Sequence, residues 1–297
     1  MLRSGSSLRM ALVNRAWSQW IALGVDAVGE AEVSVVDPEA LIAVTAELGD
    51  TDARLRDLST DWCVAFGRYV NGSRLKQVAG ELKTPHASIG EYIATVASAG
   101  GPTWPMATRP RPNYATRGKA RLETAKPQAR LRIRLRAAFG VNARADVLAA
   151  LLASPHVGQS VADLARRTRF TKPNVASSVD ALVLAGLVDA QMVGNERRVT
   201  LNTKGPILPG LRPPVFQPDW VTRFGLSLAL LRFVEQDAVS NSLRAIEGRR
   251  LVESMTHQML SEGVPQPNLA AFGEAFAAAF DRWVVDVVYW LRLPASA

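Results

Sequence analysis

Residues 160–188 read SVADLARRTRFTKPNVASSVDALVLAGLV, and this stretch decides how the chain folds. Ser160 is a good N-cap, and Val161, Leu164 and Ala165 give the short helix behind it one apolar face. Thr168-Arg169-Phe170 is a tight connection to Thr171, a second natural N-cap. From Lys172 to about Ala185, Val175, Val179, Leu182 and Val183 recur at helical spacing, and Gly186 stops the helix. A bend of this kind usually holds a glycine in the left-handed region. Here the candidate is Arg169, which carries a conformational cost there.

Working outward, Ala143 to Ala153 reads as a helix with Val147, Leu148, Leu151 and Leu152 on one face. Downstream the period changes. Leu187 to Val193 and Arg198 to Asn202 read as two short strands joined by Gly194-Asn195-Glu196. Three helices with a short turn between the last two, followed by a β-hairpin, form the winged helix-turn-helix plan. Residues 143–202 resemble the MarR-like winged-helix transcriptional regulators of bacteria, and 160–188 carry the likeness. The resemblance implies a DNA-binding regulator, a repressor, acting as a homodimer in the cytoplasm, with the flanking helices building a dimer or a sensor pocket. More loosely, the chain is similar to winged-helix antitoxins that accompany nucleotidyltransferase toxins. That likeness implies an alternative role, an antitoxin or adaptor binding a protein partner through its helical regions.

The major groove is about 12 Å wide and admits one helix, whose N-terminal side chains reach base edges. With Val175, Val179 and Leu182 facing inward, Pro173, Asn174, Ser177 and Ala181 face outward, flanked by Lys172 and Ser178. Asn174 has the donor–acceptor pair that matches adenine, and Ser177 and Ser178 suit bases or phosphates. Lys172, beside Thr171 at the helix start, is placed for a phosphate. A basic wing at 194–198 adds Asn195, Arg197 and Arg198; the two arginines alternate across the strand, so one of them points at DNA.

The chain of 297 residues has a net charge of +8, and residues 108–136 concentrate it, with ten basic side chains against Glu123. Arg109, Arg111, Arg117, Lys119 and Arg121 fall in a Pro- and Gly-rich run read as a linker, a candidate basic arm for nucleic-acid phosphates. Lys126 to Phe139 reads as a helix in spite of its Arg/apolar alternation. The expected organisation is mainly α, with a central winged helix flanked by helical regions. Its parts are a helical N-terminal domain (1–104), the basic linker (105–126), the winged helix (127–204), a Pro-rich linker (205–218) and a helical C-terminal domain (219–297).

Before the linker, helices are expected at 8–24, at 38–48 behind Asp37-Pro38, at 52–69, and at 73–82 after Asn71-Gly72. After it, Asp219 caps a helix to Val234, and further helices fall near 240–261 and 267–292. In the last, Leu269, Phe276, Trp283 and Trp290 recur every seven residues, as in the core of a small bundle or, alternatively, a coiled-coil seam. No internal repeat stands out.

Catalysis is not expected: the chain lacks GxxxxGK[ST], GxGxxG, GxSxG and HExxH. His86, His156 and His257 are far apart and read as surface residues. The single Cys63, beside Trp62, reads as a small buried apolar group in a reducing compartment. Asp50 and Asp52 open a helix, where capping explains them. No cofactor or metal is expected. Met1 to Gly24 lacks the apolar core of a signal peptide, and charges interrupt the most apolar stretch, 269–293, so no membrane association is expected. Arg outnumbers Lys 29 to 6, in keeping with a GC-rich bacterial genome.

Overall fold

The computed structural model of the protein describes residues 2–204, 215–236, 241–267 and 273–293. Five helices come first: α1 (Leu2–Ala22), α2 (Pro38–Leu48), α3 (Ala53–Phe66), α4 (Gly72–Glu81) and α5 (His86–Ser98). An irregular segment leads to α6 (Leu131–Phe139) and α7 (Ala143–Ala153). Then follow β1 (Gln159–Ser160), α8 (Val161–Thr168), α9 (Lys172–Leu184), β2 (Val188–Val193) and β3 (Glu196–Leu201). The chain ends on α10 (Trp220–Glu235), α11 (Asn241–Ser261) and α12 (Gly273–Arg292). Most of the Pro-rich linker and Leu269 lie outside the described residues. Among the described residues the fold is mainly α with a three-stranded antiparallel sheet of order β1-β3-β2, the arrangement of a winged helix.

Two apolar cores organise the described residues. The larger joins both ends: Leu8, Leu12 and Trp20 of α1 pack with Leu41 of α2, Phe224 of α10 and Trp283 of α12. Helix α1 lies directly on α12 and α10, so the two flanking helical regions form one body. Phe276, Phe280, Trp283 and Val287 of the aromatic stripe are 2–4% exposed within it. The stripe is therefore bundle core and not an open seam. The smaller core belongs to the winged helix and contains Leu148, Leu151, Leu164, Val175, Val179, Leu182, Val188 and Val199.

Helix α6 lies between the two. Leu131 and Leu135 enter the smaller core, and Ile133 enters the larger. Arg132 and Arg136 are 4% and 1% exposed. From Leu131 to Arg136 both the apolar side chains and two of the arginines are buried, so a helix can carry the Arg/apolar alternation that would ordinarily mark a strand. It begins at Leu131, five residues later than expected.

Helix α5 was not expected from the sequence, and with it comes a repeat. Lys83 and Arg169 both occupy the left-handed region, at φ 53° and 58°. The same offset carries Ile89, Ile93 and Val96 onto Val175, Val179 and Leu182, all buried. Backbone bonds recur with them. Ile89 N donates to Pro85 O at 3.1 Å, as Val175 N does to Thr171 O at 3.0 Å. Gly101 N donates to Val96 O at 2.9 Å, as Leu187 N does to Leu182 O at 3.0 Å. Gly100 and Gly186 close the two helices at φ 91° and 69°. Thus α4–α5 repeats the local plan of α8–α9. No strand hairpin follows α5. The chain instead folds back over it, Thr108 N bonding Gly90 O at 3.1 Å. A Cβ on Gly90 would lie 2.6 Å from Thr108 Cγ2, so this close approach requires glycine.

Candidate nucleic-acid interface

The segment that carries the interface is built by its caps. Asn142 Oδ1 accepts from Arg144 N at 3.0 Å and opens α7. Ser160 and Asp163 form a reciprocal capping box at the start of α8. The Ser160 hydroxyl first, and then Arg166, lower the Asp163 carboxyl below its ordinary range. Arg169 takes the left-handed bend expected of it, with its side chain 12% exposed. Its guanidinium meets Glu81 of α4 at 3.3 Å and Asp219, the cap of α10, at 2.8 Å. A residue with a strained backbone thus fastens the helix-turn-helix to the helical body.

Thr171 caps α9, its Oγ1 accepting from Asn174 N at 3.4 Å. Val175, Val179 and Leu182 are 0–1% exposed, which fixes the helix rotation. Thr171, Lys172, Pro173, Asn174 and Ser177 are exposed along one flank, with Ala181 half-buried. Ser178 departs from its expected place. It is 8% exposed and donates to Asn174 O at 2.7 Å, because its position in the turn faces the core. Val183 is 38% exposed and lies outside the apolar stripe, and Leu184 is 91% exposed.

The hairpin pairs Val188 with Leu201 through Val193 with Glu196, leaving Gly194 and Asn195 as a two-residue turn with Gly194 at φ 60°. Asn195 is exposed at the tip. Arg197 pairs with Asp180 of α9 at 2.6 Å. Arg198 pairs with Glu196 at 2.6 Å and donates to Gly158 O at 3.2 Å. Both are ion pairs at partly exposed side chains, worth about 0–1 kcal/mol each.

Residues 142–198 match the MarR family. The match covers α7 through most of β3, and it makes this part of the chain a DNA-binding domain of the transcriptional-regulator type. Searches of curated proteins and of solved structures returned no match. The MarR family is one of regulators and not of enzymes. Among the described residues no three His, Cys, Asp or Glu side chains cluster to hold a metal, and no helix is long and apolar enough to cross a membrane.

The basic segment upstream of the MarR-family match is a strap on the helical body. Arg111 bonds Asp57 at 2.8 Å and lies over Tyr114. Arg117 bonds Asp57 at 3.1 Å, and its backbone N–H bonds Asp61 at 2.9 Å. Lys119 meets Asp26 at 3.5 Å, while Arg109 and Arg121 are exposed. Helices α3 and α5 therefore hold the strap.

What sets the MarR-family segment against the body is a buried ionic cluster that sequence reasoning missed. Arg74 of α4 bonds Asp37 at 2.5 and 2.7 Å, Glu39 at 2.6 Å, and the carbonyl of Thr168 at 2.9 Å. Arg136 bonds Glu39 and Asp146, and Arg132 bonds Asp146 at 2.7 Å. Three arginines and three carboxylates balance. Burial alone would raise Asp37, but Arg132 foremost, with Arg74 and Arg136, holds it well below the usual carboxylate range. The available signal was Glu39 and Asp146 in the first turns of largely apolar helices, with Asp37 at the cap before the first of them.

An open cleft of about 630 Å³ runs along α9. Asn174, Ser177 and Ala181 form one side, Ser73 and Gln77 of α4 the other, and Arg144 stands at the start of α7. The exposed flank of α9 is thus the wall of a groove shared with the helical body.

Proposed function

We propose that the protein is a sequence-specific transcriptional repressor of the cytoplasm that seats α9 in the DNA major groove. The observation that carries this reading is the exposed row of Lys172, Asn174 and Ser177 at the N-terminal end of a helix locked by Val175, Val179 and Leu182, within the MarR-family match. In this reading Asn174 addresses a base edge and Ser177 a base or phosphate, while Thr171 and Lys172 hold the backbone. Asn195, Arg197 and Arg198 form the wing, and one of the two arginines, which alternate across β3, exchanges its weak surface carboxylate contact for a phosphate. Of the strap cations, Arg109 and Arg121 are open to solvent and would add contacts to a long duplex.

The proposal includes a homodimer. Val285 and Tyr289 of α12 are 59% and 65% exposed, and Leu293, just past the end of the helix, is 43% exposed, an apolar row suited to its own copy. Two copies place two α9 helices on half-sites separated by a turn of DNA. A dimer seated on a promoter blocks polymerase.

Fluorescence anisotropy with a labelled duplex from the chain's own promoter tests this. Binding that strengthens as salt falls, and that weakens in Asn174→Ala with Ser177→Ala, is the expected result. Absence of binding at low salt would overturn the proposal. Elution as a monomer would remove the dimer and point the α12 row toward a different protein.

A further inference from the structure

The cleft before α9 has a wall that lies outside the MarR-family match. Ser73 and Gln77 are exposed on α4 and face the cleft opposite Asn174 and Ser177. Arg74, Arg144 and Arg169 are its charged lining residues, and no carboxylate lines it. Arg74 is engaged with Asp37 and Glu39, and Arg169 with Glu81 and Asp219. Arg144 is exposed and makes no ion pair among the described residues. Three helices, α4, α7 and α9, begin at this cleft behind the caps Asn71, Asn142 and Thr171, adding positive potential to that of Arg144.

We infer that the cleft receives one phosphate strand of the duplex that α9 reads, making α4 part of the DNA-binding surface. The inference rests on the proposed placement of α9 and extends it. A helix in the major groove has a sugar-phosphate strand along each flank. The wing attends one flank, and on the other a strand must pass between α9 and α4. Arg144 supplies the charge there, and Ser73 and Gln77 supply neutral donors to phosphate oxygens. Gln77 Nε2 now bonds Glu81 at 3.0 Å on an exposed surface, a contact readily exchanged. Helix α4 belongs to the first copy of the repeat, whose own second helix lies beneath the strap, so the first copy supports the reading by the second.

The test compares full-length Arg144→Gln, Ser73→Ala with Gln77→Ala, and Asn174→Ala by anisotropy on the promoter duplex and on a mixed-sequence duplex. Melting temperatures check that each variant is folded. The two cleft variants should raise Kd by the same factor on both duplexes, and Arg144→Gln should lower the slope of log affinity against log salt by about 1. Asn174→Ala should instead narrow the difference between the duplexes. Unchanged Kd and slope in the cleft variants, with Asn174→Ala still impaired, overturn the inference and leave the role of α9 standing. Tighter binding by Ser73→Ala with Gln77→Ala also overturns it, since α4 would then obstruct the duplex. Unchanged binding in all three variants removes the placement of α9 and the inference with it.

Discussion

Arg136 and Glu39 join the winged helix to the helical body through a two-pronged ion pair, Nη1–Oε1 at 2.6 Å and Nη2–Oε2 at 3.1 Å, with neither side chain exposed. Asp146 of α7 takes the remaining face of the guanidinium at 3.0 Å. Each charge is compensated only while all are present. Arg136→Ala leaves Glu39 and Asp146 short of a partner in a dry site and should cost about 3–5 kcal/mol in urea unfolding. A loss below about 1 kcal/mol would show that water enters the cluster.

Asp37 sets the acid limit of the same cluster. Its carboxyl is held well below the ordinary value of 3.8, so its contribution to stability is complete above that value. It is lost as pH falls through the depressed native value. Thermal melting followed from about pH 6 to pH 2 should show a steep fall below pH 4, and Asp37→Asn should flatten it at the expense of neutral stability. An equal acid slope in both proteins would assign the acid loss to other groups.

Cys63 is 0% exposed, and burial pushes its thiol up to about 12, against a small opposing effect from Tyr92. The native protein should therefore resist a thiol reagent at neutral pH and react with one equivalent after denaturation. Rapid labelling of the native chain would reveal opening of the larger core.

The two left-handed bends differ in what their side chains do. Lys83 is exposed and makes no ion pair among the described residues, whereas Arg169 bridges Glu81 and Asp219. Lys83→Gly should stabilise the protein by up to about 1 kcal/mol through relief of backbone strain. Arg169→Gly and Arg169→Ala both lose the bridge, and the glycine variant should be the more stable of the two by about 1 kcal/mol. A destabilising Lys83→Gly in chemical denaturation would contradict this.

Much of the winged helix was legible because its caps and apolar spacing lie within a few residues of one another. Ser160, Thr171, Val175, Val179, Leu182 and Gly186 suffice to place α8 and α9. The ends of α2 at Pro38 and Leu48 were legible for the same local reason. Helix α5 was not, because Pro85 offers no side-chain cap and Gly90 interrupts its middle. The repeat hid behind Lys83 and Arg169, since neither is the glycine that marks such a bend. The buried roles of Arg132 and Arg136 depend on Asp37 and Glu39, nearly a hundred residues away, and no local pattern reports a tertiary ion pair. Without those partners a run of arginines reads as a solvated arm. The inward turn of Ser178 was likewise invisible, because a serine suits either side of a helix.

The central claim is that α9 reads DNA sequence, and selection of full-length protein from a pool of randomised duplexes tests it most directly. The expected result is one enriched motif, with the preference lost at one position of each half-site in Asn174→Ala and overall affinity retained in part. Enrichment of no motif, or of the same motif at the same strength by Asn174→Ala with Ser177→Ala, would contradict the claim.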